Sequence, residues 1–293
     1  MQNVGVIGIG DMGSGLAKNL MAAGHTTFGF DVDPARMDAF ASAGGVAVAS
    51  ASEVGAAAEV VFVMVMTGAQ AKSAILDAGL ASTMAPGGNI IVTATIHPDD
   101  MREIETSLDG SGLQLVDSPV TGGFVGAQNG TLTLIAAGSK AALTAARPAM
   151  EAVSARIHRV GDTIGMGQTV KACLQILTGS AFTAACEASV LAAKNGVPGQ
   201  VLHDVVCSSA AGSLVANMAL QNITDRKFEG AGASLETTYK DLTITLDLGR
   251  ASGVPLFTAG AALQLFQAGK SAYPGSDNWV IARVLEDIAG ASD

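Results

Sequence analysis

The chain has 293 residues, enough for two domains and a large buried core. Apolar residues make up 49 % and charged residues only 14 %, while 16 Lys and Arg face 26 Asp and Glu, for a net charge of −10. That balance, with no basic block to offset it, argues against nucleic acid and anionic membrane surfaces as partners. Residues 1–3 lead straight into an apolar strand without a charged leader, so no targeting segment is expected. Three cysteines with no C-x-x-C spacing fit reduced thiols in a cytoplasmic protein. The four histidines read as scattered, none paired with a second ligand at helical spacing, so no metal site is expected.

In chain order, residues 4–9 form an apolar strand that breaks into Gly8, Gly10 and Gly13 and restarts as an amphipathic helix. Each glycine has a reason in a dinucleotide-binding turn: Gly8 permits the tight turn, Gly10 lets the backbone approach a pyrophosphate, and Gly13 lets the helix pack closely on the strand. The free N–H groups of the helix's first turn, around Asp11 and Met12, then face the phosphates. A second strand over 27–30 ends in Asp31, 18 residues beyond Gly13, where a ribose-binding acid belongs. A carboxylate there accepts from the ribose hydroxyls and repels a 2′-phosphate, which favours NAD over NADP. Asp31 or Asp33 also suits a plain helix cap ahead of Pro34, and the sequence leaves both readings open.

Further strands are expected over 60–65, 89–92 and 113–116, with helical segments between most of them. The alternation predicts an α/β fold, a Rossmann-type doubly wound parallel sheet, extended by short strands over 131–136 and 156–160 around a helix near 139–153. After Gly161 strand-like runs vanish. A helix over about 168–195 ends at Asn195-Gly196 and Pro198, and further helices follow over 199–210, 214–224, 234–252, 256–268 and 277–289. The expected division is a nucleotide-binding domain over 1–162 and an all-α C-terminal domain over 163–293. The apolar run 172–193 carries Gln175 and Glu187 between Lys171 and Lys194, and it reads as a buried core helix rather than a membrane span. Apolar surface on the bundle is expected to form a subunit interface, giving a homodimer or homotetramer.

Three later segments narrow the glycine turn to one family. They are Asp117-Ser118-Pro119-Val120-Thr121-Gly122-Gly123, running on to Gly130-Thr131-Leu132-Thr133; Gly165-Met166-Gly167-Gln168-Thr169-Val170-Lys171; and Lys240-Asp241-Leu242. In this order the chain resembles the β-hydroxyacid dehydrogenases, the group of 3-hydroxyisobutyrate dehydrogenase, tartronate semialdehyde reductase and threonate dehydrogenase. The resemblance implies that Lys171 is the catalytic acid or base, that Thr121, Gly122 and Gly123 hold the substrate carboxylate, and that Lys240 approaches the cofactor, with Asp241 in an orienting role. It also implies that Thr95, in Thr95-Ile96-His97-Pro98, lies near the nicotinamide ribose and that Val65 and Met66 meet the cofactor at a strand end.

The chain departs from the family three residues after the lysine. Leu174 replaces a polar residue, and Gln175 stands where asparagine or glutamine is usual. Gln175 shares a helix face with Lys171 and can hydrogen-bond a substrate, whereas Leu174 cannot, which points to a substrate with one fewer hydroxyl, a more apolar side chain, or reduced activity. The chemistry fits a lysine: neutral Lys171 would accept the hydroxyl proton in oxidation, and its ammonium would return it in reduction, provided burial or a nearby cation lowers its basicity. The glycines beside Thr121 would bare backbone N–H groups to a carboxylate. Two rival readings stand beside the NAD-dependent oxidoreductase: an aldehyde or imine reductase on the same scaffold, and a non-catalytic NAD-binding regulatory protein.

Overall fold

The computed structural model describes residues 1–291, which form two compact units divided between Lys171 and Ala172. In the first unit, β1 (Asn3–Ile7) leads through α1 (Asp11–Ala22) to β2 (Thr26–Phe30), and α2 (Pro34–Ser42) to the two-residue edge strand β3 (Val46–Ala47). The chain then returns by α3 (Ala51–Ala57) to β4 (Val60–Val63). Helices α4 (Gly68–Lys72) and α5 (Leu80–Thr83), with a π turn over Ser73–Asp77 between them, lead to β5 (Asn89–Val92). Helix α6 (Pro98–Ser107) leads to β6 (Gln114–Asp117). Next come β7 (Val120–Thr121), α7 (Gly123–Asn129), β8 (Leu132–Ala137), α8 (Lys140–Ala152) and β9 (Ser154–Gly161).

The strands lie in the order β3-β2-β1-β4-β5-β6-β8-β7, with β9 beside β8. From β3 to β6 all pairings are parallel, with Val4 opposite both Thr27 and Val60 in β1's two neighbours. Alternate residues feed two cores, one on each face. Val4, Val6, Phe62 and Ile91 pack with Leu16 and Leu20 of α1 and Met150 of α8. Ile7, Val61, Val63 and Ile90 pack with Val54 of α3 and Met101 and Ile104 of α6. Coverage on both faces is why these strands read as unbroken apolar runs rather than as alternation.

The parallel sense expected for the strands up to β6 holds, but β8, whose direction the sequence left open, runs antiparallel to both β6 and β7. The reason is length. The seven-residue α7 rises only about 10 Å at 1.5 Å per residue, too little to carry the chain back across the sheet for a parallel return. β9 regains the parallel sense because the 13-residue α8 makes that crossing. The strands β3 and β7 escape sequence reading because two residues show no period.

Helix α9 (Met166–Lys194) begins in the first unit and continues into the second. The second unit is otherwise α10 (Gly199–Cys207), α11 (Leu214–Thr224), α12 (Leu235–Ala251), α13 (Phe257–Ala272) and α14 (Ile281–Ala289). Its core gathers Phe182, Cys186, Leu220, Leu242, Phe266 and the fully buried Trp279. The stretch expected to be helical from 277 opens with a 3-10 turn over Asn278–Val280, and α14 follows it directly. Asp277 stands at the N-cap position of that turn, and its two carboxylate oxygens accept backbone N–H groups from Ala231 at 2.8 Å and Ala233 at 2.7 Å. Helix α9 is a core helix on one face only: Phe182, Ala185, Cys186 and Val190 are buried, while Leu177 is 69 % and Leu191 67 % exposed.

Candidate active site

The glycine turn is built by contact as much as by conformation. Gly8 has φ +88°, and a Cβ there would collide with the Met64 carbonyl; a Cβ at Gly13 would collide with the carbonyl of Gly8. At Gly10 a Cβ would meet only the Arg36 guanidinium, with Nη1 at 3.6 Å in ordinary contact, so packing within the protein does not itself demand glycine there. Helix α1 begins at Asp11 with Gly10 as its N-cap and no side chain capping it, which leaves its first N–H groups, from Asp11 and Met12 onward, without a side-chain partner at the cap. That is the donor set a pyrophosphate requires.

Asp31 closes the turn from β2. Its Oδ2 accepts the N–H of Ile9 at 2.7 Å and its Oδ1 that of Asp33 at 2.9 Å, with Arg36 Nη1 3.5 Å from Oδ2. The capping role belongs to Asp33, which accepts from Ala35 N–H at 2.9 Å ahead of Pro34. Of the two readings of Asp31, the cap is therefore excluded, and its side chain is fixed beside the glycine turn. Val65 and Met66 leave β4 next to Gly8. Met66, half-exposed, donates its N–H to Gln70 Oε1 at 2.9 Å, within the Thr67–Gln70 capping box that starts α4.

Beyond the ends of β5 and β6 lie the other predicted segments of this unit. Thr121, Gly122 and Gly123 are exposed, with φ +123° at Gly122 and +61° at Gly123, conformations that favour glycine. The helix they lead into is docked on the glycine-turn helix. Asn19 Nδ2 donates to Gly15 O and Ala127 O, both at 2.8 Å, and Gln128 Nε2 donates to Asp11 O at 3.1 Å. Gly8, Val65 and Thr95 thus follow the carboxyl ends of β1, β4 and β5, the edge at which open α/β sheets bind ligands, and Thr121 ends β7 four residues past β6.

Lys171 stands in the second turn of α9 and is only 8 % exposed. The first turn of that helix is held by a residue the sequence reading left without a role. Asp117, fully buried at the end of β6, accepts three backbone N–H groups on Oδ2: from Gly165 at 2.9 Å, Gly167 at 2.8 Å and Gln168 at 3.2 Å. Burial pushes its carboxyl up to about 6, against those N–H groups, which pull it down. The signal was present: an acid ending a buried apolar strand must find partners. Gln168, 2 % exposed, in turn accepts the N–H of Ile96 and donates to Ala94 O, both at 3.0 Å.

In the second unit, Gln175 is buried and donates through its amide to Asp241 Oδ2, while Lys240 Nζ pairs with Asp241 Oδ1 at 2.9 Å. One Gln175 N–H is thereby committed within the protein, leaving the second N–H and the carbonyl oxygen as the groups that could meet a ligand. The histidine reading needs one correction. His203 is not isolated, since its Nε2 lies 3.3 Å from Cys207 Sγ one helical turn away and its Nδ1 lies 3.2 Å from Asp204. No cluster of three or more metal-ligating side chains occurs among the described residues.

Comparison with known proteins follows this geometry. Residues 3–161 match the family profile described as the NAD binding domain of 6-phosphogluconate dehydrogenase. Residues 165–285 match the one described as the NAD-binding domain of NADP-dependent 3-hydroxyisobutyrate dehydrogenase. L-threonate dehydrogenase of Escherichia coli K12 is 33 % identical over 289 residues, covering 98 % of this chain and 95 % of its own. The chain belongs to the β-hydroxyacid dehydrogenase family. The NAD-dependent L-serine dehydrogenase of Pseudomonas aeruginosa is a further relative, 30 % identical over 298 residues, with 99 % of this chain and all of its own covered. The crystal structure of 3-hydroxyisobutyrate dehydrogenase from Salmonella typhimurium superposes with a TM-score of 0.88 at 34 % identity, over 97 % of this chain and 100 % of that one. In this dehydrogenase the first unit is accordingly an NAD(P)-binding domain. The residues present fit such a cofactor: the α1 N-terminus carries no side-chain cap, and Gly10 at its cap is a glycine that protein packing does not itself demand.

Proposed function

We propose that this dehydrogenase uses NAD to oxidise the CH–OH group of a small β-hydroxy acid in the cytoplasm, with Lys171 as general base. The cofactor, when bound, takes a hydride from the carbinol carbon. Lys171 takes the hydroxyl proton onto its neutral amine, and in the reverse direction its ammonium returns that proton to the forming alkoxide. Thr121 with the backbone N–H groups of Gly122 and Gly123 holds the substrate carboxylate, and Gln175, oriented by Asp241, offers its carbonyl oxygen to a substrate hydroxyl. Gly8, Gly10, Asp11, Met12 and Gly13 cradle the pyrophosphate, Asp31 takes the ribose hydroxyls, and Val65, Met66, Thr95 and Lys240 complete the cofactor contacts. Asp31 supports NAD because a buried carboxylate already fixed at the turn by the Ile9 N–H repels a 2′-phosphate.

The observation that carries this reading is the burial of Lys171. Lysine is among the residues most rarely buried, so an amine held out of water within this motif points to a chemical role. The relatives' names suggest acids of three or four carbons, such as L-threonate, L-serine or 3-hydroxyisobutyrate, and Leu174 favours the less hydroxylated of these. The test follows reduced nicotinamide by absorbance with each of these acids and with NAD or NADP. We expect turnover on at least one acid, faster with NAD. Lys171→Ala should lose about 100- to 10,000-fold in kcat while still binding NAD; near-normal turnover by that variant removes the assignment.

A further inference from the structure

We propose that Gln168 is a positioning residue for the reaction: with Asp117 it clamps the 94–96 segment to the first turn of the helix that carries Lys171. The proposal rests on the dehydrogenase reading above for its consequence in catalysis, but its structural half stands on contacts within the first unit alone.

Gln168 behaves as a piece of backbone. Its side-chain amide accepts the Ile96 N–H and donates to the Ala94 carbonyl, each at 3.0 Å, so it pairs with the segment on both sides of Thr95 as a neighbouring strand would. The segment leaves the sheet at the end of β5 and has no strand to continue alongside, so without Gln168 these two buried polar groups lose those partners. Gln168 is itself fixed from behind, because its own N–H, with those of Gly165 and Gly167, converges on Asp117 Oδ2. Close packing reinforces the arrangement: a Cβ at Gly167 would lie 2.7 Å from Ile135 O and 2.8 Å from Asp117 O. Three segments therefore share one anchor. They are the end of β6 that runs on to Thr121, the loop bearing Thr95, and the helix start that sets Lys171 three residues past Gln168. A proton acceptor and a cofactor-contacting loop held by one rigid side chain keep their mutual placement to the fraction of an ångström that a near-attack geometry needs.

The test compares wild type with Gln168→Met, which keeps length and apolar volume but neither hydrogen bond, and Gln168→Glu, which keeps only the acceptor. Amide hydrogen exchange is read at Ile96, NADH affinity by fluorescence, and kcat and KM on whichever of the three acids wild type turns over best. We expect Ile96 exchange to rise in Gln168→Met, kcat to fall by about tenfold or more, and both KM and the NADH Kd to stay within about threefold, with Gln168→Glu between Met and wild type. A purely structural role would lower Tm while leaving kcat of the folded fraction unchanged, and that result overturns the proposal, as does unaltered exchange at Ile96. Should Gln168→Met not fold, Gln168→Glu carries the same comparison. If wild type turns over none of the acids, the dehydrogenase reading fails by itself, and the Ile96 exchange still decides whether the clamp exists.

Discussion

Asp117 concentrates the residue-scale physics. A carboxylate removed from water costs several kcal/mol unless it is paired, and here the pairing is three backbone N–H groups rather than a cation. Because burial raises the folded-state value from 3.8 to about 6, the stability this group contributes is complete below its unfolded value and is lost as pH rises through about 6. Asp117→Asn does not titrate. From about pH 4 to about pH 7 the stability of the Asn variant relative to wild type should therefore improve, by up to about 3 kcal/mol at 1.36 kcal/mol per unit, read from denaturant melts at each pH. A flat difference would mean the carboxyl titrates alike in the folded and unfolded protein. The thiols offer a second check at this scale. Burial pushes Cys186 up to about 12, so in the native protein it should resist iodoacetamide at neutral pH, whereas the exposed Cys207 should be alkylated, as mass spectrometry of the labelled chain will show.

At the scale of elements, the glycine turn was legible because its demands are local. A strand, three spaced glycines and a helix start are all set by neighbours in sequence, and Gly13 is required by the carbonyl of Gly8 only five residues away. The collar around Lys171 was only half legible. The G-M-G-Q-T-V-K run marks a helix start, but that Gly167 must be glycine follows from Ile135 and Asp117, more than thirty residues distant. Gly167→Ala should therefore destabilise the first unit by about 1–3 kcal/mol, the usual cost of overpacking a tight site, and lower kcat by shifting the turn before Lys171. Gly260→Ala, in α13 with open space around it, should be neutral to mildly stabilising in the same melts. Equal effects from the two alanines would show that the packing at Gly167 relaxes freely.

For the whole molecule, the exposed apolar side chains of the second unit are the outstanding feature. Leu177 and Leu191 on α9 are spaced fourteen residues apart on one face, with exposed Ala184 midway, and Leu214 and Phe257 are 85 % and 84 % exposed. A face of this kind is costly to leave in water. We expect a second copy of the chain to cover the α9 stripe, so that light scattering on the wild type gives at least a dimer mass, and Leu177→Glu with Leu191→Glu lowers it. A monomeric wild type would end that expectation.

The sequence by itself determined the order of strands and helices through most of the chain, the glycine turn, the acid after β2 and the lysine on the long helix. Each is written in short-range periodicity, in turn chemistry or in a run of residue types. Only the tertiary structure decided that β8 turns antiparallel, that Asp33 and not Asp31 caps α2, and that Asp117 and Gln168 tie three distant segments together. Those outcomes depend on which buried polar groups meet across the fold, and a hydrogen bond between residues 96 and 168 leaves no periodic trace in either stretch of sequence.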